Sequence, residues 1–369
     1  MSVKTKRKAF LYVPFMIFNP YHHIRDQGGT ASGFVLNGYE TYLIIGESSE
    51  LMPITDFKII KTHNTDPRNL FSHIREYKVI IKLLKDIEPD TILVWNVGVM
   101  PLLVSITMRL LKILGKKKSK AILRLDWDGT RKKENLFLDI MFRVNLIFSN
   151  LLFDGTTIET SCGKRNVDRL ILRPDKLKIV PVGYDLRGKG TIAVDSKKGK
   201  YVLSVARIAK YKNIEQSLEA FALVSLDFPE WSFVHVGMCQ DGIYFESLKE
   251  LTKKLNIENK VIFAGELEYE EVDSWFSKSP IFITSSHTES FNLARLEAMV
   301  HGLIVISSEA GCPNDFKGLN IFSDIQSASV KLREALEVAE KKDMRFHMDY
   351  GNIFSWPDIV KKLEESFDL

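Results

Sequence analysis

The stretch that decides the fold runs from Ser285 to Gly302 and has the sequence SSHTESFNLARLEAMVHG. The apolar run at 280–284 before it predicts a buried parallel strand, and the run at 303–306 after it predicts the next one. Between these strands, apolar residues at helical spacing predict a helix that Gly302 ends. An alternation of strand, helix and strand is typical of an α/β fold with a parallel sheet.

Two carboxylates flank the start of this predicted helix. Glu289 follows the end of a strand, which is the edge where open α/β sheets bind ligands. If the spacing is helical throughout, Glu297 lies about 12 Å further along, at a rise of about 1.5 Å per residue. The helix N terminus offers N–H groups and a positive dipole end to an anion. A phosphate there, with a carboxylate on each side for sugar and ribose hydroxyls, suits a nucleotide sugar.

Length and composition limit the class of protein. The 369 residues predict two domains, and 45% apolar with 27% charged residues is typical of a soluble globular protein. The sequence has no run of 18 apolar residues, so it predicts no helix that spans a membrane. The basic stretch Met1–Lys8 lacks the pattern of a signal peptide, so we expect a cytoplasmic location. Cys162, Cys239 and Cys312 are too scattered for a zinc cluster.

The net charge of +4 conceals an asymmetry between the two halves. Residues 1–186 carry 29 Lys and Arg against 19 Asp and Glu, a net +10, and residues 187–369 carry 22 against 28, a net −6. The basic half is predicted to face something anionic. Within it, predicted apolar helices at 101–114 and 136–152 and the lysine-rich segment 116–120 allow two interpretations. They are either core-facing helices with a basic loop, or a patch for an anionic membrane surface.

Two loops of the first half follow predicted strands. The pair Gly28-Gly29 lies in the loop after strand one, where it either lets the backbone approach a phosphate or sugar or simply forms a turn. Asp126 and Asp128 follow the strand at 121–125. An Asp-x-Asp pair at a strand end is one way to hold a divalent cation and a diphosphate, although it is also common by chance.

The α/β alternation restarts at residue 201. The preceding segment, 186–200, holds three glycines and five basic residues without apolar periodicity, which predicts a linker. Arg207 and Lys212 lie in the loop after the strand at 201–205. They either neutralise an anion at the sheet edge or belong to a solvated basic loop.

The second half resembles the family 4 retaining glycosyltransferases, which have the two-domain GT-B fold. Glu289 and Glu297, which are separated by seven residues, resemble the family's paired-glutamate motif, with Asn292 where a glycine is usual. Arg207 and Lys212 match its basic pair. The segment 350–356, which ends at Trp356, resembles the start of the family's final helix. Gly28-Gly29 matches the glycine loop of the first domain, in a half that the resemblance covers only thinly. The resemblance implies two Rossmann-like domains that face a cleft. The acceptor-side domain would cover 1–186, and a linker at 187–200 would join it to a nucleotide-sugar domain at 201–350. A C-terminal helix at 351–369 would cross back to the first domain.

The resemblance also implies residue roles. Arg207 and Lys212 would hold the donor diphosphate in place of a metal, Glu289 would contact the donor sugar, and Glu297 would hold the ribose. No cofactor is expected beyond the nucleotide-diphosphate sugar, which is a co-substrate. The remaining donor-binding residues would be Gly28, Gly29, Gly265, Leu267, Ser290, Phe291, Asn292 and Leu293.

The acceptor side departs from the family pattern. Many members have a His at the end of the strand that here leads into Asp126, and this chain has none there. Asp126 or Asp128 could accept the proton of the acceptor hydroxyl or bind acceptor hydroxyls. Arg124 and Asn96 complete the predicted acceptor side.

The predicted function is transfer of a hexose, with retention, from a nucleotide sugar to a hydroxyl of a lipid-linked or surface glycan. The expected partners are the nucleotide sugar, this acceptor and an anionic membrane surface, with no nucleic acid. The expected location is the cytoplasm, peripheral on the inner face of the cell membrane. The alternatives are a metal-dependent GT-A transferase that uses Asp126 and Asp128, a GT-B nucleotide-sugar epimerase, and a binding module without activity.

Overall fold

We describe the protein from a computed structural model, in two compact units: Met1–Arg187 with Asn352–Leu369, and Gly188–Gly351. The structure describes nine segments of the chain, which are 6–18, 26–48, 56–64, 66, 68–115, 119–127, 136–184, 199–341 and 354–369. The predicted linker at 187–200 therefore lies outside the described residues, except for its last two positions.

The first unit alternates strands with helices. Its elements are β1 (Lys8–Tyr12), β2 (Ile17–Phe18), α1 (Asp26–Leu36), β3 (Glu40–Ile45), β4 (Glu47–Ser48), β5 (Lys58–Lys61), α2 (Leu70–Ile87), β6 (Thr91–Trp95), α3 (Val99–Ile113), β7 (Lys120–Leu125), α4 (Leu136–Leu152), β8 (Gly155–Ile158), α5 (Ser161–Asp168) and β9 (Leu177–Ile179). Seven strands form a parallel sheet in the order β5-β3-β1-β6-β7-β8-β9, and β2 pairs with β4. The central strand β6 is buried at all five positions, as a parallel strand covered on both faces should be.

The second unit repeats this architecture. Its elements are β10 (Tyr201–Val205), α6 (Ile214–Val224), β11 (Ser232–Val236), α7 (Gly242–Lys254), β12 (Val261–Gly265), α8 (Tyr269–Lys278), β13 (Ile281–Thr284), α9 (Leu293–Val300), β14 (Ile304–Ser307), β15 (Asn320–Ile321) and α10 (Ile325–Glu340). The parallel sheet has the order β12-β11-β10-β13-β14-β15. Each unit has its own buried apolar cluster. The prediction of two Rossmann-like α/β halves is confirmed.

Several predicted bounds differ from the observed ones. The amphipathic spacing of the sequence predicts a helix only at 77–84, whereas α2 covers Leu70–Ile87. Its first turn exposes Leu70 and Phe71 and so does not follow the amphipathic pattern. The sequence predicts a strand at 178–185, whereas the observed strand is the short β9, since Pro181 has no N–H to continue the ladder. Helix α8 begins after Glu268, which caps it.

The last element, α11 (Trp356–Phe367), belongs to the first unit and packs against α1. Ser355 caps its N terminus by accepting a hydrogen bond from the N–H of Asp358. Close contact with α1 requires glycine, because a Cβ on Gly29 would lie 2.0 Å from the Trp356 indole and one on Gly33 would lie 2.6 Å from the Trp356 carbonyl oxygen. Within the described residues, no helix is long and apolar enough to cross a membrane.

Candidate active site

The strand order of the second unit reverses between β10 and β13, which are neighbours in the sheet. The chain leaves these two strands toward opposite sides, so their carboxyl ends border the crevice where doubly wound sheets bind ligands. The loop after β10 carries Arg207 and Lys212, and the loop after β13 carries Glu289. The fold thus brings together residues about 80 positions apart in the sequence.

Lys212 and Glu289 form an ion pair across this crevice. The Lys212 Nζ lies 2.6 Å from the Glu289 Oε1, and the side chains are 14% and 12% exposed. The Ser286 hydroxyl donates to the same carboxylate oxygen at 2.7 Å. The pair is shielded enough to be held in one geometry, yet it is still accessible to a ligand.

Arg207 lies nearby but is exposed. Its guanidinium donates to the Tyr211 hydroxyl at 2.7 Å, and the Tyr211 carbonyl accepts from the His287 N–H at 2.9 Å. Tyr211 therefore ties the loop after β10 to the loop after β13. Of the two basic residues predicted from the sequence, Lys212 is fixed by its ion pair with Glu289, whereas Arg207 is exposed to solvent.

Asn292 takes the backbone conformation that a glycine would take. Its φ is 69° and its ψ is 76°, in the left-handed region that asparagine tolerates better than most residues. Its side chain caps α9 by accepting from the Arg295 N–H at 3.1 Å, and it donates to the Thr284 hydroxyl at 3.1 Å. The residue that stands where the family pattern has a glycine is thus one that tolerates a left-handed backbone.

The helical extrapolation from Glu289 to Glu297 is wrong. Helix α9 begins only at Leu293, and the residues before it are not helical, so a rise of 1.5 Å per residue does not apply there. Glu297 lies within α9 and is 3% exposed. Its predicted contact with the ribose of the donor stays a prediction.

The remaining predicted donor residues fall into three places. Ser290, Phe291 and Leu293 lie at the entrance to α9 beside Glu289. Gly265 ends β12 with a φ of 74° and open space beside it, and Leu267 follows in the same loop, at the far edge strand of the sheet. Gly28 and Gly29 belong to α1 of the first unit and are buried, and the Trp356 indole occupies the space beside Gly29.

The carboxyl edge of the first sheet carries a second charged cluster. The Arg124 guanidinium is buried and pairs with Asp26 at 2.8 Å and with Glu159 at 3.9 Å. Burial opposes the charge of Arg124, but Asp26 and Glu159 outweigh it and raise the pKa of the guanidinium. The Trp95 indole N–H also donates to Asp26 at 2.9 Å. Arg124, predicted to face the acceptor, is an interior counter-ion.

Asp126 adjoins this cluster at the end of β7. Its N–H donates to the Asn96 side-chain oxygen at 3.2 Å, and the Asn96 amide approaches its carboxylate at 3.5 Å. Its other carboxylate oxygen is buried and has no partner among the described residues. Burial and the nearby Asp26 raise the pKa of Asp126 to about 7, against the opposing effects of Arg124 and Asn96. Asp128 lies outside the described residues.

The carboxylates of Asp26, Asp126 and Glu159 could each offer one oxygen to a cation, since these atoms lie within 4.8 Å of one another. Arg124 already supplies a positive charge to this group at hydrogen-bond distance from Asp26. The arrangement therefore fits an internal ion-pair network in which one guanidinium faces three carboxylates. Asp26 and Glu159 are absent from the predicted site, although Asp26 is the first residue of α1 and Glu159 directly follows β8.

A buried arginine in the second unit was also missed. Arg295 lies in the first turn of α9 and is completely buried. It bonds to both loops that border Glu289. The sequence does not indicate its burial, because an arginine beside the apolar stripe of a helix is ordinarily solvated.

Comparison with known proteins identifies the second unit more closely than the first. Residues 192–340 match the family model described as Glycosyl transferases group 1. The chain is 21% identical over 271 residues to the mannosylfructose-phosphate synthase of Agrobacterium fabrum, covering 65% of this chain and 59% of that protein. It is 35% identical over 108 residues to the alpha-monoglucosyldiacylglycerol synthase of Streptococcus pneumoniae, covering 29% and 24%. It thus spans less than two thirds of the length of these relatives.

Solved structures resemble the whole chain. Sucrose-phosphate synthase from Thermosynechococcus elongatus matches with a TM-score of 0.73 and 13% identity over 98% of both chains. Anabaena HepE in complex with UDP and glucose matches with a TM-score of 0.67 and 14% identity over 97% of this chain and 99% of that one. This likeness shows the GT-B fold, so the alternative of a GT-A transferase is wrong. The chain is a GT-B protein whose residues 192–340 match the group 1 glycosyl transferases.

Proposed function

We propose that the protein is a family 4 retaining glycosyltransferase that moves a hexose from a nucleotide-diphosphate sugar to an acceptor hydroxyl. The Lys212–Glu289 ion pair at the β10/β13 switch point is the observation that supports it most strongly. A cation fixed against a carboxylate at the entrance to a helix offers one group to a phosphate and one to sugar hydroxyls.

In the proposed reaction, the bond between the anomeric carbon and the diphosphate oxygen breaks as the acceptor oxygen bonds to the same face of that carbon. Lys212 and Arg207 stabilise the negative charge that develops on the leaving diphosphate. Two cations at this position would let the reaction proceed without a metal. Glu289 orients the sugar through its hydroxyls.

We propose that Asp126 of the first unit accepts the proton of the acceptor hydroxyl and that Asn96 positions the Asp126 carboxylate. One Asp126 oxygen has no partner among the described residues, and a pKa near 7 suits a group that exchanges a proton at neutral pH. An Asp126→Asn variant should lose transfer activity by about 100-fold while it still binds the donor. Full activity of this variant would remove Asp126 from the mechanism.

The donor half of the proposal is tested by thermal shift against a panel of UDP and GDP sugars, followed by transfer assays with and without EDTA. A specific donor should stabilise the protein by an amount set by its concentration over Kd. Lys212→Ala should lower kcat/KM by about 100-fold or more, whereas the matched variant Lys210→Ala, on an exposed residue of the same turn, should not. If no sugar of the panel stabilises the protein, the proposed function is refuted. Formation of an epimer of the donor sugar would indicate an epimerase. Loss of transfer activity in EDTA would contradict a reaction without a metal.

We further propose that the acceptor is a lipid-linked or surface glycan and that the protein binds an anionic membrane from the cytoplasmic side. Helix α4 exposes Phe137, Met141, Val144 and Phe148 at helical spacing, with exposed fractions of 67%, 44%, 39% and 50%. Helix α3, which packs against α4, adds an apolar stripe that includes Ile113 at 73%. We call these two stripes the α3/α4 face.

The positive charge of the first half favours an anionic lipid surface as the partner that binds the α3/α4 face. In the sequence, lysines at 116–118 follow α3 and the basic residues 131–133 precede α4, and the first half carries a net +10. Basic residues beside an exposed apolar stripe suit an anionic membrane better than a second copy of the same basic surface.

Vesicle flotation tests the membrane proposal. Phe137→Ser with Phe148→Ser should greatly weaken flotation with vesicles that contain phosphatidylglycerol and leave only a weak component that depends on charge. Leu226→Ser with Ile243→Ser, at residues 88% and 84% exposed on the second unit, should not weaken flotation. Self-association in solution that the first pair abolishes, without vesicle binding, would instead show that the face joins two copies of the chain.

A further inference from the structure

Arg295 is a fully buried cation between the two loops that border Glu289. Its guanidinium donates to the Phe291 carbonyl at 2.7 Å in the loop after β13. It also donates to the Ala310 carbonyl at 2.9 Å and to the Gly311 carbonyl in the loop after β14. One side chain thus holds three peptide groups from two loops.

These hydrogen bonds fix the direction of three backbone N–H groups. In a trans peptide the C=O and the following N–H point in opposite directions, and no cis peptide occurs among the described residues. Because the carbonyls of Phe291, Ala310 and Gly311 point at Arg295, the N–H groups of Asn292, Gly311 and Cys312 point away from it.

The same peptide groups border the candidate donor site. A Cβ on Gly311 would lie 2.9 Å from the Glu289 Cβ and 3.0 Å from the Phe291 carbonyl oxygen, so the two loops are in close contact there. Backbone N–H groups that point outward from adjacent turns form an anion-binding concavity. A diphosphate held near Glu289 would meet such groups.

Arg295 also places a positive charge beneath this surface. Burial lowers the pKa of its guanidinium to about 10, with Glu289 and Asp315 opposing that effect, so the group remains charged at neutral pH. The guanidinium carbon lies 4.7 Å from the centre of the Phe316 ring, a cation–π contact that favours the charged form. A purely apolar side chain could fill the same volume, but it would neither bind the carbonyls nor carry charge.

We infer that Arg295 is a positioning residue for the donor diphosphate: it orients the N–H groups of Asn292, Gly311 and Cys312 without touching the substrate. The inference rests on the proposed function, since it assumes a nucleoside diphosphate at this site. It predicts that Arg295 affects the diphosphate part of the ligand and leaves recognition of the nucleoside unchanged.

The test compares the affinities of a nucleoside diphosphate and its nucleoside, UDP with uridine and GDP with guanosine, by calorimetry on the full chain. Arg295→Met should weaken binding of the diphosphate at least 10-fold and leave the nucleoside unchanged. Arg295→Lys, which keeps the charge with fewer donors, should give a smaller loss. Leu296→Ala, at the adjacent buried position of α9, is the control that destabilises the helix without touching the network.

Four outcomes are distinguishable. A selective loss of diphosphate affinity in both Arg295 variants, absent from Leu296→Ala, supports the inference. An unchanged ratio of the two affinities in Arg295→Lys and Arg295→Met overturns it. An equal loss in Leu296→Ala would also overturn it, because it would reduce Arg295 to packing. Failure of the wild-type chain to bind either diphosphate would overturn the proposed function itself.

Discussion

At the scale of single residues, the charge state of Asp126 follows from its neighbours. Burial and Asp26 raise its pKa to about 7, from an ordinary value near 3.8, while Arg124 and Asn96 pull the other way. The folded protein therefore keeps a proton that the unfolded chain releases. Between about pH 4 and about pH 7 the folded state binds more protons, so the free energy of unfolding falls as the pH rises through this window.

Asp126→Asn removes this titration while preserving an oxygen for the Asn96 amide. Relative to the wild type, the free energy of unfolding of the variant should rise by about 1–3 kcal/mol between pH 5 and pH 8, because only the wild type loses stability there. Urea denaturation at both pH values measures the difference. A difference that does not change with pH would show that Asp126 ionises normally in the folded protein.

Asn292 combines a left-handed backbone with a helix cap. Asn292→Gly keeps the backbone conformation and loses only side-chain hydrogen bonds, so it should cost about 1 kcal/mol or less. Asn292→Val loses those bonds and strains the backbone, so it should cost about 2 kcal/mol or more. Thermal denaturation of both variants measures these costs, and equal losses would indicate that the φ of 69° carries no strain.

Single residues differ in how far the sequence predicts them. Lys212 and Glu289 could be predicted because both follow strands, and the carboxyl ends of parallel strands share one edge of the sheet. Arg295 could not, since its partners are mainly backbone carbonyls, and one of the two loops that hold them lies fifteen and sixteen residues away. Every residue has a backbone carbonyl, so the pattern of residue types does not indicate which carbonyls bind a side chain.

At the scale of elements, the contact between α1 and α11 depends on glycine. Gly29→Ala would place a methyl group 2.0 Å from the Trp356 indole, which must then move, at a cost of about 1–3 kcal/mol. Gly242→Ala, where the structure shows no atom within 4 Å of the added Cβ, is the matched control and should be neutral or slightly stabilising. Chemical denaturation compares the two.

A double-mutant cycle isolates the contact itself. In a Trp356→Leu background the smaller side chain leaves room for the methyl group, so Gly29→Ala should cost less than it does with Trp356 present. Additive losses would show that the indole is not what excludes a side chain at position 29. The sequence alone could not predict this contact, because a glycine pair after the first strand gives no indication of a tryptophan 327 residues later.

At the scale of the whole molecule, the alternation of strands and helices predicted both α/β halves, since buried parallel strands appear as continuous apolar runs. The strand order was not predictable in the same way. The crossover that makes β1 a neighbour of β6, and β10 a neighbour of β13, depends on which side of the sheet each helix covers. That choice depends on packing between distant segments rather than on any local pattern.

The uneven charge of the chain leads to a prediction about salt. If the net +10 of residues 1–186 draws the protein to anionic lipid, flotation with phosphatidylglycerol vesicles should weaken between about 0.05 M and about 0.5 M salt, because the screening length shortens severalfold. The apolar α3/α4 face is not screened, so binding should not vanish at high salt. Phe137→Ser with Phe148→Ser should therefore lose the residual binding at high salt and keep a weak, salt-sensitive component at low salt. Binding that is equally strong at both salt concentrations would exclude the electrostatic contribution, and binding that disappears at high salt would exclude the apolar one.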